Sequence, residues 1–222
     1  MTILFVLLTF LVIMSITYYT RRDVPAATVQ PPIFVSPEAP RMMRDLGFEI
    51  PSAYAFHPGH TWVMDEGRQN ARIGVDAFAT NLLGDIEKIE VAGLNRWVRQ
   101  GQKIATATTN GLAVDVVSPV EGVIIAVNPE ILRDPNTVSK DPYKDGWVCV
   151  VKSPDLQTNL KNLLTGSMVG PWLQNSVRAV TGIASQAVAR AADGGMPIRG
   201  LLSQLPPEQQ KAVIREVFLT ER

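Results

Sequence analysis

Few side chains in this sequence combine the type and the spacing that chemistry needs. His57 and His60 stand three apart in His57-Pro58-Gly59-His60. On a helix that spacing puts two imidazoles on one face, as a metal pair requires. Pro58 and Gly59 oppose a helix there, so no metal site is assigned. The chain has one cysteine and two histidines, which excludes an internal disulfide and supplies a multi-ligand zinc site poorly. Cys149 lies between Val148 and Val150 in an expected strand, with no histidine beside it in sequence, the pattern of a buried, unreactive thiol. Asp85 and Glu87 are two apart and share one side of an expected strand; without a cleft or metal partner they form a solvated face. No phosphate loop, nucleophile elbow or zinc motif is present. No catalytic residue is assigned, and the chain is not expected to be an enzyme.

The most informative stretch is residues 104–122, IATATTNGLAVDVVSPVEG. Its first part alternates apolar residues with β-branched threonines, which favours a strand. Asn110-Gly111 is a strong hairpin signal, because a type I′ turn needs positive φ at both central positions. Residues 112–117 return as the partner strand.

The elements around this hairpin follow from composition and punctuation. The 222 residues carry 21 Lys+Arg against 21 Asp+Glu, enough chain for one medium domain with extensions or two small domains. That balance argues against a generally basic nucleic-acid binder, and no nucleic-acid partner is expected. Residues 2–19 are uncharged and apolar apart from Thr, Ser and Tyr, long enough to cross a bilayer as a helix. Arg21-Arg22 marks the end of the run, and Tyr18 and Tyr19 suit the interface. The rival is a cleaved secretory signal. No cation precedes the run and its apolar part is long for a signal, although Pro25-Ala26-Ala27 offers small residues for cleavage. An uncleaved anchor over residues 1–22 is the preferred reading. The positive pair then keeps the C-terminal side cytoplasmic in a single-pass membrane protein.

Residues 23–53 form an expected linker, with prolines at 25, 31, 32, 37 and 40 that make it extended and semi-rigid. A short helix is expected over 41–50, stopped by Gly47 or Pro51. From His60 onward, short β-rich runs alternate with turn residues at 61–64, 72–75, 86–91, 103–109, 112–117, 122–127 and 147–151. That spacing indicates a small sandwich or barrel-like β domain. A helix over 76–83, capped by Asp76, interrupts the run with Phe78, Leu82 and Leu83 on its buried side. Ser153-Pro154 opens another expected helix, with Leu156, Leu160, Leu163 and Leu164 as its stripe and Gly166 at its end. Residues 171–192 carry Leu173, Val177, Val180, Ala184, Val188 and Ala191 at helical spacing. Pro206-Pro207 opens a last helix with Val213, Ile214, Val217 and Phe218 apolar. Such stripes usually pack on their own domain; the alternative is docking on a partner or a membrane surface.

An ordered set of motifs resembles the glycine cleavage H-protein family. His60-Thr61-Trp62-Val63 is similar to that family's His-Glu-Trp-Val opening. Ile73-Gly74, Phe78-Ala79, Leu83-Gly84-Asp85-Ile86, Ser118-Pro119-Val120-Glu121-Gly122, Asn128, Pro135, Asp141-Pro142-Tyr143 and Gly146-Trp147 follow in the family's order. The resemblance covers roughly residues 54–165. Residues 97–104, WVRQGQKI, also resemble the start of one half of a lipoyl/biotinyl-type sandwich, and 122–127 the start of the other. The resemblance implies a mainly β fold: a lipoyl/biotinyl-like β sandwich (barrel-sandwich hybrid) with short helices, preceded by one transmembrane helix and followed by C-terminal α-helices. The domain would span 54–166 and a helical extension 167–222.

The resemblance also implies a carrier, since the family bears lipoate on a lysine within Glu-Ser-Val-Lys-Ala. Counted back from Ser118-Pro119, that motif falls on Thr108-Thr109-Asn110-Gly111-Leu112, with Gly111 in the lysine's place and Thr108 in the acid's. No lysine occurs from residue 104 to 139. Lipoate is therefore expected to be absent and no cofactor is assigned. The leading reading is a non-catalytic adaptor or accessory subunit that holds an unidentified protein partner near the membrane reached by residues 2–19. Its surface is expected at Thr108, Thr109, Asn110, Gly111 and Leu112, together with the helical stripe Val177, Val180 and Val188. Three rivals stay open: a carrier modified at an atypical residue such as Lys103, a domain that binds a small acyl or aromatic ligand in the cleft where the family folds its arm, and a periplasmic version of any of these.

Overall fold

The computed structural model describes residues 11–15, 42–45, 47–184 and 199–220, those at 42–45 by their backbone. The chain divides into two units, Met1–Ala39 and Pro40–Arg222. In the first, residues 11–15 are helical and exposed. The rest of the membrane segment expected at 2–19, and the linker prolines at 25, 31, 32, 37 and 40, lie outside the described residues. Among the described residues no helix is long and apolar enough to cross a membrane.

The second unit is built on antiparallel ladders. Strands β1 (Met42–Asp45) and β2 (Phe48–Pro51) pair as a hairpin. The helix expected over 41–50 is thus replaced by two short strands, with Gly47 at the turn rather than at a helix end. The reason is tertiary: Ile50 is buried and Phe48 meets the Phe78 ring edge-on at 5.8 Å, so the hairpin is fastened to the core. The domain accordingly begins before residue 54, inside the stretch assigned to the linker.

A six-stranded sheet has the order β3-β4-β5-β11-β10-β7, and a three-stranded sheet the order β6-β8-β9. Their strands are β3 (Ala55–His57), β4 (Thr61–Asp65), β5 (Asn70–Val75), β6 (Lys88–Val91), β7 (Trp97–Val98), β8 (Lys103–Thr109), β9 (Leu112–Val117), β10 (Gly122–Val127) and β11 (Cys149–Lys152). The expected strands recur with end shifts of one or two residues for most of them. Core residues come from both sheets, among them Trp62, Ile73, Ile104, Val114, Val116, Ile124 and Val151, and Val120 joins them from the turn between β9 and β10. Trp62 is paired in register with Gly74. A Cβ at 74 would overlap the indole ring, so only glycine lets the ring lie flat on β5 while its Nε1 donates to the Val75 carbonyl at 3.1 Å.

Helix α1 (Ala77–Leu83) is capped as its sequence indicates: the Asp76 carboxylate accepts from the Ala79 N–H at 2.8 Å, and Phe78, Leu82 and Leu83 are buried. Short helices α2 (Pro129–Arg133) and α3 (Thr137–Lys140) connect β10 to β11. The helix expected from Ser153 shrinks to α4 (Leu156–Leu160). Leu164 instead exchanges two hydrogen bonds with Phe56, at 2.8 and 2.9 Å, and so adds an extended bridge at the edge of β3. Both backbone groups are satisfied that way, which a continued helix would not allow at this edge.

The C-terminal part comprises α5 (Val169–Ile183), α6 (Leu201–Gln204), α7 (Pro207–Val213) and a π-helical turn, Ile214–Phe218. Helix α5 packs on α7 and on the π turn, the π turn on β9, and α6 on α1. Val177 and Val180 are only 7% and 2% exposed and belong to the core cluster. The two valines expected as part of an outward docking stripe therefore fasten α5 to the domain, as apolar stripes usually do. Val188 lies outside the described residues. Val180→Asp is expected to lower stability by about 2–4 kcal/mol in denaturant titrations, since it buries a carboxylate without a partner. An unchanged midpoint would mean that α5 does not pack where it is seen.

Candidate functional site

The β8–β9 hairpin holds the strongest candidate site. Its register runs from Lys103↔Val117 to Thr109↔Leu112, with an irregularity between Lys103 and Ala105. Asn110 and Gly111 close it with φ of 46° and 73°, the left-handed pair that a type I′ turn requires. Both are exposed, and a Cβ built on Gly111 would meet nothing within 4 Å. The tip is presented to solvent, yet it is anchored from behind. Thr109 is buried and donates through Oγ1 to the Leu83 carbonyl at 3.1 Å, at the C-terminal end of α1. Glu87 accepts from the Asn110 N–H at 3.1 Å, and its own N–H donates to the Thr108 carbonyl at 2.8 Å. Of the five tip residues singled out from sequence, Asn110 and Gly111 are exposed, Thr108 and Leu112 are half-buried, and Thr109 is buried. Val177 and Val180 face the core and do not share a surface with the tip.

Lys103 is half-exposed and sits at the opposite end of β8. Its Nζ is 3.1 Å from Oδ1 of Asp115, which also accepts from Thr106 Oγ1 at 2.8 Å. Asp85, read as solvated, is exposed and pairs with Arg199 at 3.1 Å. Cys149 is fully buried, and burial pushes its thiol up to about 12. It therefore stays protonated and unreactive near neutrality.

Sequence reading missed a second cluster, because its members are far apart in the chain. His60 is buried, and its Nδ1 donates to Oδ2 of Asp76 at 2.7 Å while Nε2 lies 3.0 Å from Ser176 Oγ. The connectivity is that of a Ser-His-Asp relay. The surroundings are those of a structural joint. Trp172 stacks on the imidazole at 4.4 Å and Phe78 lies at 4.7 Å. The cavity beside them, lined by Asp76, Phe78, Tyr143 and Trp172 among others, measures about 10 Å³, so at most one water fits. Ser176 Oγ also donates back to the Trp172 carbonyl at 3.2 Å, within its own helix. The one sequence hint was Asp76 as a helix cap.

The histidine pair does not share one face of a helix. His57 and His60 lie on a turn in which the His60 N–H donates to the His57 carbonyl at 2.9 Å, and His57 Nδ1 accepts from the Gly59 N–H at 3.0 Å. Among the described residues no cluster of three potential metal-ligating side chains occurs.

The glycine cleavage H-protein family model matches residues 54–176, more than half of the chain. The chain belongs to the glycine cleavage H-protein family. This is a family of carrier proteins that are not themselves catalysts. The glycine cleavage system H protein of Idiomarina loihiensis is 36% identical over 115 residues, covering 52% of this chain and 88% of that protein. That of Pseudoalteromonas translucida is 35% identical with the same coverage of both chains, 52% and 88%. A crystal structure of a glycine cleavage system H protein from Mycobacterium marinum aligns with a TM-score of 0.49 at 24% identity, over 57% of this chain and 98% of that one. The family region thus takes in the sandwich, the hairpin, and α5 as far as Ser176, so the His60–Asp76–Ser176 joint lies wholly within it.

Burial, with the neighbouring His60 adding to it, holds the pKa of His57 below its usual value. The unfolded chain then takes up a proton more readily than the native one. This contribution to stability is complete above about pH 6.5 and is lost as pH falls through and below that value. His57→Asn keeps an acceptor for the Gly59 N–H but cannot titrate. The wild type is expected to lose more stability than this variant between about pH 7.5 and 5.5. Parallel pH profiles in denaturant titrations would show that His57 does not carry the dependence.

Proposed function

We propose that this chain is a membrane-tethered H-protein family member that bears no lipoate and acts as a non-catalytic adaptor or accessory subunit. Gly111 carries the reading. It occupies the exposed end of the hairpin, where the family's motif order puts the acceptor lysine, and Thr108 occupies the place of the acidic neighbour. Lipoylation makes an amide on a primary amine, and glycine has none to offer. The nearest upstream lysine, Lys103, is seven residues before Asn110, about 20 Å away along an extended strand, and its ammonium is engaged by Asp115. A group attached there would emerge at the wrong end of the hairpin. The tether rests on the uncharged run at residues 2–19, which is long enough to span a bilayer. The surface left for a protein partner is the rigid tip, Asn110 and Gly111 with the half-buried flanks Thr108 and Leu112.

Intact mass of the full-length protein, purified in mild detergent from its native host, tests the reading. The unmodified mass is expected, with a stoichiometric partner protein in the same preparation; a lipoyl-sized adduct would refute it. A gain-of-function variant separates the missing amine from a misshapen tip. Space around residue 111 is open, so Thr108→Glu/Gly111→Lys is expected to fold at a cost of about 1 kcal/mol for the left-handed backbone. With lipoate and a lipoate–protein ligase, the double variant is expected to gain the adduct while the wild type gains none. Labelling of the wild type would show that another residue serves as acceptor.

A further inference from the structure

The end of the six-stranded sheet at β7 carries a face that neither the hairpin nor the core uses. Trp97 is 47% exposed and Leu94 is 59% exposed, two large apolar side chains three residues apart at the same edge. Both lie in a stretch, residues 91–114, that contains Arg96, Arg99 and Lys103 but no Asp or Glu. The ladder registers extend the cationic character across the sheet. Trp97 pairs with Val123 on β10, and Val123 with Lys152 on β11. Directly opposed residues on neighbouring strands point to the same face, about 5 Å apart per strand. Trp97, Val123 and Lys152 therefore form one row. Val98, the alternate residue of β7, points inward and is completely buried. Arg99, two residues on from Trp97, follows it outward and is exposed, as are Arg96 and Lys152. Half-buried Glu121, next to the start of β10, and exposed Glu90, which lines one depression with Arg96 and pairs with Lys88 at 2.7 Å, are acidic neighbours. Lys103 belongs to the Asp115 pair and is not counted here.

We propose that the face formed by Trp97, Arg99, Val123 and Lys152, with Leu94 and Arg96 in the turn before it, docks on the surface of an anionic lipid bilayer. Indole rings partition to the headgroup level of membranes, and each nearby cation adds attraction to anionic lipid. The face is an outward row at a two-residue edge strand, not a pocket, so a planar surface can reach all of it. The proposal extends the tethered reading, in which residues 2–19 hold the domain close to a bilayer, but it stands on different residues.

Trp97 supplies its own probe. Of the four tryptophans, Trp62 is fully buried and Trp147 and Trp172 are half-buried, so Trp97 alone is exposed. Full-length protein is mixed with vesicles of brominated phosphatidylcholine, with or without phosphatidylglycerol, while flotation records whether it is bound at all. Quenching of Trp97 emission is expected with phosphatidylglycerol present and not with phosphatidylcholine alone. It should vanish in Trp97→Phe, and the apparent affinity should weaken about fivefold in each of Arg99→Gln and Lys152→Gln. These side chains are exposed, and unchanged near-ultraviolet circular dichroism checks that the variants fold. Protein that floats on both vesicle types but is unquenched on either overturns this inference and leaves the tether standing. Protein that is quenched on anionic vesicles yet fails to float on pure phosphatidylcholine supports the inference and overturns the tether. Failure to float on either vesicle type overturns both. Equal quenching on both vesicle types, insensitive to the Gln variants, overturns the electrostatic face. An acidic protein that co-purifies with the wild type and is lost in Arg99→Gln, without quenching by anionic vesicles, assigns the face to a protein partner and overturns the lipid reading.

Discussion

The imidazole of His60 donates to Asp76 at 2.7 Å where neither side chain meets water, and the other elements are arranged so that this pair is satisfied. A buried carboxylate is costly unless it is paired and hydrogen-bonded. Here Oδ2 takes the imidazole and Oδ1 takes the first turn of α1 through the Ala79 N–H. The imidazole in turn faces Ser176 and lies against Trp172 and Phe78. One contact thereby connects the β3–β4 turn, the start of α1 and the middle of α5. Withdrawing any of these would leave a polar group buried and unpaired, so the joint fixes geometry more than it adds stability.

That arrangement decides what the C-terminal helices can do. A helix held by a half-buried hydrogen bond to its serine, a stacked tryptophan and two core valines is part of the domain. Its apolar stripe is taken up by packing, and among the described residues the hairpin tip and the outer row at β7 are two exposed surfaces. The two differ in kind. The tip is small, polar and fixed from behind by Thr109 and Glu87. The β7 row is aromatic and cationic.

The fold of the hairpin and the chemistry of its tip have separate requirements. Strand pairing depends on the alternation in residues 103–117 and on the left-handed turn, and Asn110-Gly111 serves that turn better than a lysine would. The core behind it depends on Val114, Val116 and Ile104. None of these requirements concerns the chemistry of the tip, so residue 111 can change its character without disturbing the sandwich.

Local signals in the sequence were sufficient for seven of the eleven described strands, the I′ turn, the Asp76 cap and the final helix, because each depends on residues within a few positions of one another. The absence of an amine at 111 was equally plain, since a residue type is a fact of sequence. The 42–51 region became a hairpin because Ile50 and Phe48 find the core, a contact that no local propensity contains. The helix after Ser153 was cut short because Leu164 bridges to Phe56, more than a hundred residues away. The sequence carried the stripe on α5, but only packing decided that Val177 and Val180 face inward. His60, Asp76 and Ser176 became one site only when three separate elements closed around them. Short-range periodicity is written along the chain; which surface stays free depends on how the elements cover one another, and that exists only in the folded molecule.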